Sequence, residues 1–230
     1  MTNGILNFQL YEVVIYTLLT THITIVSVTI YLHRAQAHRA LKLSNYLAHL
    51  FRAWLWLYTG MKTGQWVAIH RKHHAKCETE QDPHSPRHYG INTVLVCGTE
   101  LYKKEGANEE TLARYSAGTP NDWIEKNIYS KYPWHGIIIT LIMNVILFGF
   151  SGITVWAIQM AWIPLLASGV INGLGHYIGK KPYSLADDST NIVPLGLLIG
   201  GEELHNNHHA YPSSAKLAHR PWELDISWYY

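Results

Sequence analysis

The sequence predicts an all-α integral membrane protein: three to four transmembrane helices plus an interfacial helix, under a cytoplasmic helical cap that holds a two-metal site. Three observations predict it. Long apolar runs at Leu10–Leu32, Gly136–Phe148 and Gly152–Ile171 contain no Lys or Arg. At ~1.5 Å per helical residue, about twenty residues cross a hydrocarbon layer of ~30 Å. His70-Arg71-Lys72-His73-His74 places three imidazoles at i, i+3 and i+4, one face of a helix, and His205-Asn206-Asn207-His208-His209 repeats the pattern. Every Lys and Arg lies between Arg34 and Lys131 or between Lys180 and Arg220, so both clusters fall on the positive, cytoplasmic side.

The chain reads as one domain over 1–230, with spans at about 9–32, 134–150 and 152–174. The first run lacks a basic leader and a small-residue cleavage site, so it reads as a span and not as a signal peptide. Thr17, Thr20, Thr21, Thr24 and Ser27 follow helical spacing, a stripe expected to face protein. His22 sits mid-span and reads as a hydrogen-bonded interior residue. Residues 43–62 are apolar and Trp-rich but carry Arg52. They join His38 to His70, which must share one depth, so they form an interfacial or re-entrant helix with Arg52 reaching for headgroups or water. The cap comprises 63–133 and 177–230, both polar. Thr119-Pro120 marks a helix start, with Thr as N-cap and Pro at the first position. Gly169 and Gly173 permit close helix approach.

With 18 Lys and Arg against 16 Asp and Glu, the chain has no basic footprint for nucleic acid. Cys77 and Cys97 form neither a CxxC pair nor a disulfide framework. The mean hydropathy of -0.04 averages very apolar runs with a very polar remainder. The outlier is histidine, at 15 residues.

Candidate metal ligands are His33, His38, His70, His73, His74, His176, His205, His208 and His209. Nine imidazoles exceed what one four-coordinate ion uses, so two metals are implied. His33 and His38 diverge by about 140° on an ideal helix, and converge only if the backbone bends or each serves a different ion. Asn172 shares a helical face with His176. Nitrogen ligands alone do not select the metal. A site at the mouth of apolar helices suits an acyl or alkyl chain, and attack on its C–H bonds needs an oxidant that redox-inert zinc does not supply. Two irons activating O2 supply one. Glu78, Asp82, Glu202 and Asp225 are candidates to accept the second N–H of metal-bound histidines. His49, His88, His135 and His219 read as packed or solvated residues, and His84 as a loop cap.

His33-Arg34-Ala35-Gln36-Ala37-His38, His70-Arg71-Lys72-His73-His74 with Asp82-Pro83-His84-Ser85-Pro86, and Gly201-Glu202-Glu203-Leu204-His205-Asn206-Asn207-His208-His209 resemble the three histidine boxes of membrane fatty acyl desaturases. The similarity covers about 20–230 and is nearest to the bacterial branch similar to stearoyl-CoA delta-9 desaturase. The resemblance implies a di-iron centre held by the nine histidines, with Asn172 reaching one iron through water. It also implies O2-dependent removal of two hydrogens from an acyl chain. One span precedes the first box here, where vertebrate members have a hairpin.

The substrate is then expected as acyl-CoA, acyl-ACP or acyl-lipid, in an apolar tunnel walled by Trp66, while Trp54 and Trp56 read as interface anchors. Arg34, Arg71 and Lys72 are candidates to meet an anionic headgroup. No NAD, flavin or haem motif occurs, so electrons come from a ferredoxin-type donor with its reductase. The expected location is a bacterial inner membrane. A di-iron fatty acid or alkane hydroxylase is the nearest alternative, and a zinc-binding transporter or sensor the alternative of another class.

Overall fold

The computed structural model describes residues 4–230. Helix α1 runs from Leu10 to Ala37, 28 residues, α-helical to Ser27 and π-helical from Val28. Its start is held by a capping box between Gln9 and Glu12. Thr17, Thr20, Thr21, Thr24 and Ser27 are buried, and each hydroxyl donates to a carbonyl four residues back. The opposite face, with Val14, Leu18, Leu19 and Ile23, is exposed. The hydroxyl stripe therefore faces protein and the apolar face points outward.

Helices α7 (Pro133–Phe148) and α8 (Ser151–Leu174) form a hairpin turned at Gly149, whose φ of 63° favours glycine. Here α2 names Asn45–Thr59, α3 Thr63–Lys76, α4 Pro86–Tyr89, α5 Ile91–Gly106 and α6 Glu109–Tyr115. A buried polar chain crosses the bundle: Asn144 donates to Gln159 at 2.9 Å, and Gln159 donates to Thr20 at 2.8 Å. Helices α1 and α8 are long and apolar enough to cross a membrane, while α7, apolar too, has 16 residues.

Helix α2 packs along the first half of α7. Trp56 donates to the Tyr132 carbonyl, Thr140 donates to the Leu57 carbonyl, and a Cβ on Gly136 would meet the Trp56 carbonyl at 2.2 Å. Trp54 is not an interface anchor: it stacks on Tyr58 and donates to Thr24. Arg52 does not reach for headgroups either. It is buried, paired with Asp122 at 2.6 Å and Glu125 at 3.1 Å, because a guanidinium leaving water needs carboxylates to replace it. That pairing holds Asp122 down at about 2. The helical turn at Glu125–Tyr129 starts later than Thr119-Pro120 suggests, since Asp122 accepts the Glu125 N–H in the capping role.

Helices α3, α5 and α6 build the cap. Helix α5 lies against the end of α8 through small residues: a Cβ on Gly98 would stand 2.7 Å from the Ser168 carbonyl, and one on Gly169 2.9 Å from that of Leu95. Residues 177–230 hold little regular structure: strands β1 (Leu195–Gly196) and β2 (Leu224–Asp225) pair in parallel, and α9 is His205–Ala210. This stretch is not uniformly polar or distant from the bundle. Ile199 joins Ile25, Val28 and Ile171 in the core, and the Tyr230 hydroxyl bonds His22 at 2.8 Å. His22 is thus half-buried and hydrogen-bonded, by a partner 208 residues away.

Candidate metal centre

The nine histidines meet. The first cluster gathers His33, His38, His70, His74 and His208. His33 Nε2 lies 3.0 Å from His208 Nε2, His38 Nε2 2.7 Å from His70 Nε2, and His208 Nε2 2.9 Å from His74 Nε2. The second gathers His73, His176 and His209 with Cys77, whose Sγ lies 3.9 Å from His73 Nε2, and His205 joins it through its Nε2, 2.9 Å from that of His176. Two nitrogens bound at right angles to one ion at ~2.1 Å stand about 3 Å apart, so these spacings suit shared ions.

Local backbone explains the convergence. The π geometry at the end of α1 lets the His38 N–H donate to the His33 carbonyl, five residues back, at 3.1 Å. An i→i+5 turn stacks residues that an α-helix would splay, so the rings lie 4.8 Å apart in one cluster. On α3 ordinary α-helix spacing divides the histidines, with His70 and His74 in the first cluster and His73 in the second. Helix α9 has only six residues, too few to stand alone, and the asparagines between its histidines anchor it. Asn206 donates to the Ser189 carbonyl at 3.1 Å, and Asn207 to Glu223 at 2.8 Å.

Carboxylates aim the rings. His33 Nδ1 is 2.8 Å from Glu202, His73 Nδ1 3.0 Å from Asp82, and His176 Nδ1 2.9 Å from Glu78. Holding Nδ1 turns Nε2 inward, the arrangement that fixes tautomer and direction in metal-bound imidazole. Burial pushes the Asp82, Glu78 and Glu202 carboxyls up, but the histidine bonds outweigh it and hold all three below the usual range. Burial, joined by neighbouring imidazoles, drives His70, His74, His205, His208 and His209 well below their ordinary value, leaving the neutral form that binds metals. Glu78 takes a left-handed φ of 60°, strained for a non-glycine residue and held by His176 and Ser85. His209 Nε2 is buried without a hydrogen-bond partner among the described residues, facing the second cluster. An orphaned, uncharged ring nitrogen beside three others fits a bound cation.

Four expected residues stand elsewhere. Asp225 touches none of the clustered histidines: it takes both Nη atoms of Arg34 and the Leu217 N–H, and Arg34 also donates to the Gly200 and Ala215 carbonyls. A buried guanidinium needs this bidentate acceptor, so neither residue is free for a histidine or a headgroup. Arg71 donates to the carbonyls of Gln36, Ala37, Tyr115 and Ala117, tying α3 to the end of α1. Lys72 pairs with Glu105 at 2.8 Å. Both are occupied by protein, not presented to substrate. The residue absent from the sequence reading is Asp187, whose carboxylate lies 3.1 Å from His209 Nδ1. His84 is not a loop cap: it is buried, grouped with His73 and Asp82, its ring 4.3 Å from that of His73. Burial pushes it down to about 3. Its place in Asp82-Pro83-His84, beside an acid that holds a ligand, was the available signal.

A cavity of about 520 Å³ opens beside the first cluster, lined by Met61, Trp66, His70, Tyr102, Trp156 and Asn172. That is within the ~300–1,000 Å³ of small-molecule sites. Trp66 stacks on His70 at 4.9 Å. A smaller cavity of about 50 Å³ continues behind Trp66, His70, Ala167 and Asn172 and reaches His73 and His205. Trp54 and Trp56 line neither.

The family model for fatty acid desaturases matches residues 11–229. A protein of Arabidopsis thaliana named delta-9 acyl-lipid desaturase 2 is 31% identical over 88% of this chain and 65% of its own length. An Anemone leveillei protein named acyl-CoA C20 delta5-desaturase is 30% identical over 87% and 64%. The Arabidopsis chloroplast protein named palmitoyl-monogalactosyldiacylglycerol delta-7 desaturase is 29% identical over 89% and 54%. The chain thus spans between 54% and 65% of these three relatives. All are plant proteins, so the similarity carries the family and not a bacterial branch.

Proposed function

The chain belongs to the fatty acid desaturase family, and we propose that it introduces a cis double bond into a long saturated acyl chain, using O2 and a pair of histidine-held irons. The observation that carries the reading is the convergence of nine imidazoles in two adjacent clusters at the end of an apolar cavity. His33, His38, His70, His74 and His208 would hold one iron, and His73, His176, His205 and His209 the other. Bound iron supplies the O2-activating redox chemistry that breaks two unactivated C–H bonds. We assign Asn172 a water-mediated contact to one ion, since it lines the cavity four residues before His176.

The protein's own residues position the chain and exclude water. Trp66 is fixed by stacking on His70, and its indole forms a wall of both cavities. Met61, Trp156 and Ile163 continue an apolar lining that admits a hydrocarbon and offers water few partners. Glu202, Asp82, Glu78 and Asp187 keep the imidazoles turned toward the acyl path.

The spans are assigned to α1, α7 and α8, with α2 as an interfacial or re-entrant helix. This assignment rests on the exposed apolar faces of α1 and α7 and on the absence of Lys and Arg from the first 33 residues and the turn at 149–152. The centre then lies on the cytoplasmic side. Electrons arrive from an external carrier of ferredoxin type. Delta-9 is the position we favour, and acyl-CoA, acyl-ACP and acyl-lipid are the carriers to compare. The test is expression in a host without desaturases, with double bonds located by mass spectrometry. A new cis-monounsaturated fatty acid supports the reading. Hydroxylated products assign the chain to oxygenation instead, and zinc in place of iron after purification removes it from redox chemistry.

A further inference from the structure

Residues 189–201 contain no charged side chain, and neither do residues 226–230. In the fold the end of the first segment, at Ile199 and Gly200, and the end of the second, at Tyr230, lie against α1 before His33. A Cβ on Gly200 would meet Thr29 at 2.8 Å and Ile25 at 3.2 Å, which precede His33 by four and eight residues, about 6–12 Å of helix. The Tyr230 hydroxyl reaches His22, eleven residues before His33 and about 16 Å lower. Val193, Leu195, Leu197 and Leu198 are exposed, Leu198 at 72%, as are Trp228, Tyr229 and Tyr230. The outward side of α1, at Leu18, Leu19 and Ile23, is exposed and apolar as well.

Irregular backbone enters a bilayer only where its polar groups are already satisfied. Here one side chain meets that need: Glu203 accepts the N–H groups of Leu198 at 2.8 Å, Ile199 at 2.8 Å and Gly201 at 3.1 Å. The Ile192 N–H goes to the Glu203 carbonyl and the Leu224 N–H to that of Pro194. The three ring-bearing residues match the aromatic belt at a membrane–water boundary.

We propose that residues 192–200 and 226–230 are a lipid-contacting surface, a re-entrant loop and an aromatic strap immersed in the cytoplasmic leaflet beside α1. Their occupant is the bilayer, and Glu203 is the internal acceptor that lets the loop enter it. The inner side of the loop, at Ile199, walls the small cavity with Ile25, Val28 and Ile171, so this loop separates the metal-proximal cavity from lipid. The inference rests on the membrane reading above.

The test uses the full chain in phosphatidylcholine vesicles. Nitroxide labels are placed at Leu198→Cys, at Leu19→Cys on the outer face of α1 and at Lys104→Cys in the cap, each in a Cys97→Ser background. The parent without an added cysteine reports any label on Cys77. The label at 198 should be relaxed by O2 and shielded from a nickel chelate like the label at 19, with an O2-to-nickel ratio several times that at 104. Independently, brominated lipids should quench wild-type fluorescence more than that of Trp228→Phe. A label at 198 open to nickel while that at 19 is shielded overturns the loop's immersion and leaves the spans standing. Shielding from both reagents assigns the face to a protein and also overturns it. If the label at 19 is open to nickel, the membrane reading and this proposal fall together.

Discussion

The two histidine clusters differ in what aims them. The first has five imidazoles and one orienting carboxylate, Glu202 on His33. The second has four imidazoles and three such carboxylates, Asp82, Glu78 and Asp187 on His73, His176 and His209. The first relies on backbone, a π-turn that brings the His33 and His38 rings edge to face at 4.8 Å. The second relies on acids from loops before and after α8. Two ions held in these places would meet unequal charge, with more negative charge around the second. Adjacent metal positions in one pocket need not be equivalent.

The largest effects test the division itself. His208→Ala should remove the ion of the first cluster and His73→Ala that of the second, each abolishing double-bond formation. Iron per protein should fall from two toward one in both. Full turnover with intact iron in either variant breaks the assignment.

The orienting acids should matter less and unequally. Losing such a partner costs about 10–100-fold in metal affinity. Glu202→Gln should fall at the upper end, because the first cluster has no other. Asp187→Asn should fall at the lower end, because two acids remain. Competition with a chelator, followed by metal analysis, reads both.

Acid should separate the clusters. His38, His70, His74, His176, His205, His208 and His209 sit below the ordinary value of ~6.5, His38 as low as about 2, chiefly through burial. The unfolded chain then binds protons that the folded chain refuses. Stability is therefore full above ~6.5 and drains as the pH falls below it. Asp82, Glu78 and Glu202 are all held low and stay ionised further into acid, but two of them pull on the second ion and only one on the first. Metal content against pH should show two steps with the first cluster emptying first, and a single step would make the clusters equivalent.

The smallest effect concerns Lys72, which stands between His70 and His73 in sequence yet pairs with Glu105. Lys72→Met should leave the KM for acyl substrate unchanged and lower stability by about 1–3 kcal/mol, since it strands the largely buried Glu105 carboxylate. A raised KM would return this lysine to the substrate.

Much of the centre was legible in the sequence, because ligand spacing on a helix is a local property. HxxHH states which histidines share a face whatever lies around them. His33 and His38 were ambiguous for the same reason: the five-residue spacing is readable, but the π-turn that resolves it depends on packing. Asp225 and Asp187 show the limit from the other side. Both are acids near the third box, and nothing in their neighbours says that one pairs with Arg34 and the other with His209. Arg52 likewise looked amphipathic until Asp122 and Glu125, seventy residues on, were brought to it.

The sequence alone determined the apolar runs, the charge asymmetry and which histidines are candidate ligands, since composition and helical period act over a few residues. Tertiary structure decided which carboxylate serves which histidine, how the nine rings divide, and that an uncharged part of the cap lies along α1. Those outcomes depend on contacts between segments up to 208 residues apart, and no local pattern encodes which buried partner a polar group will find.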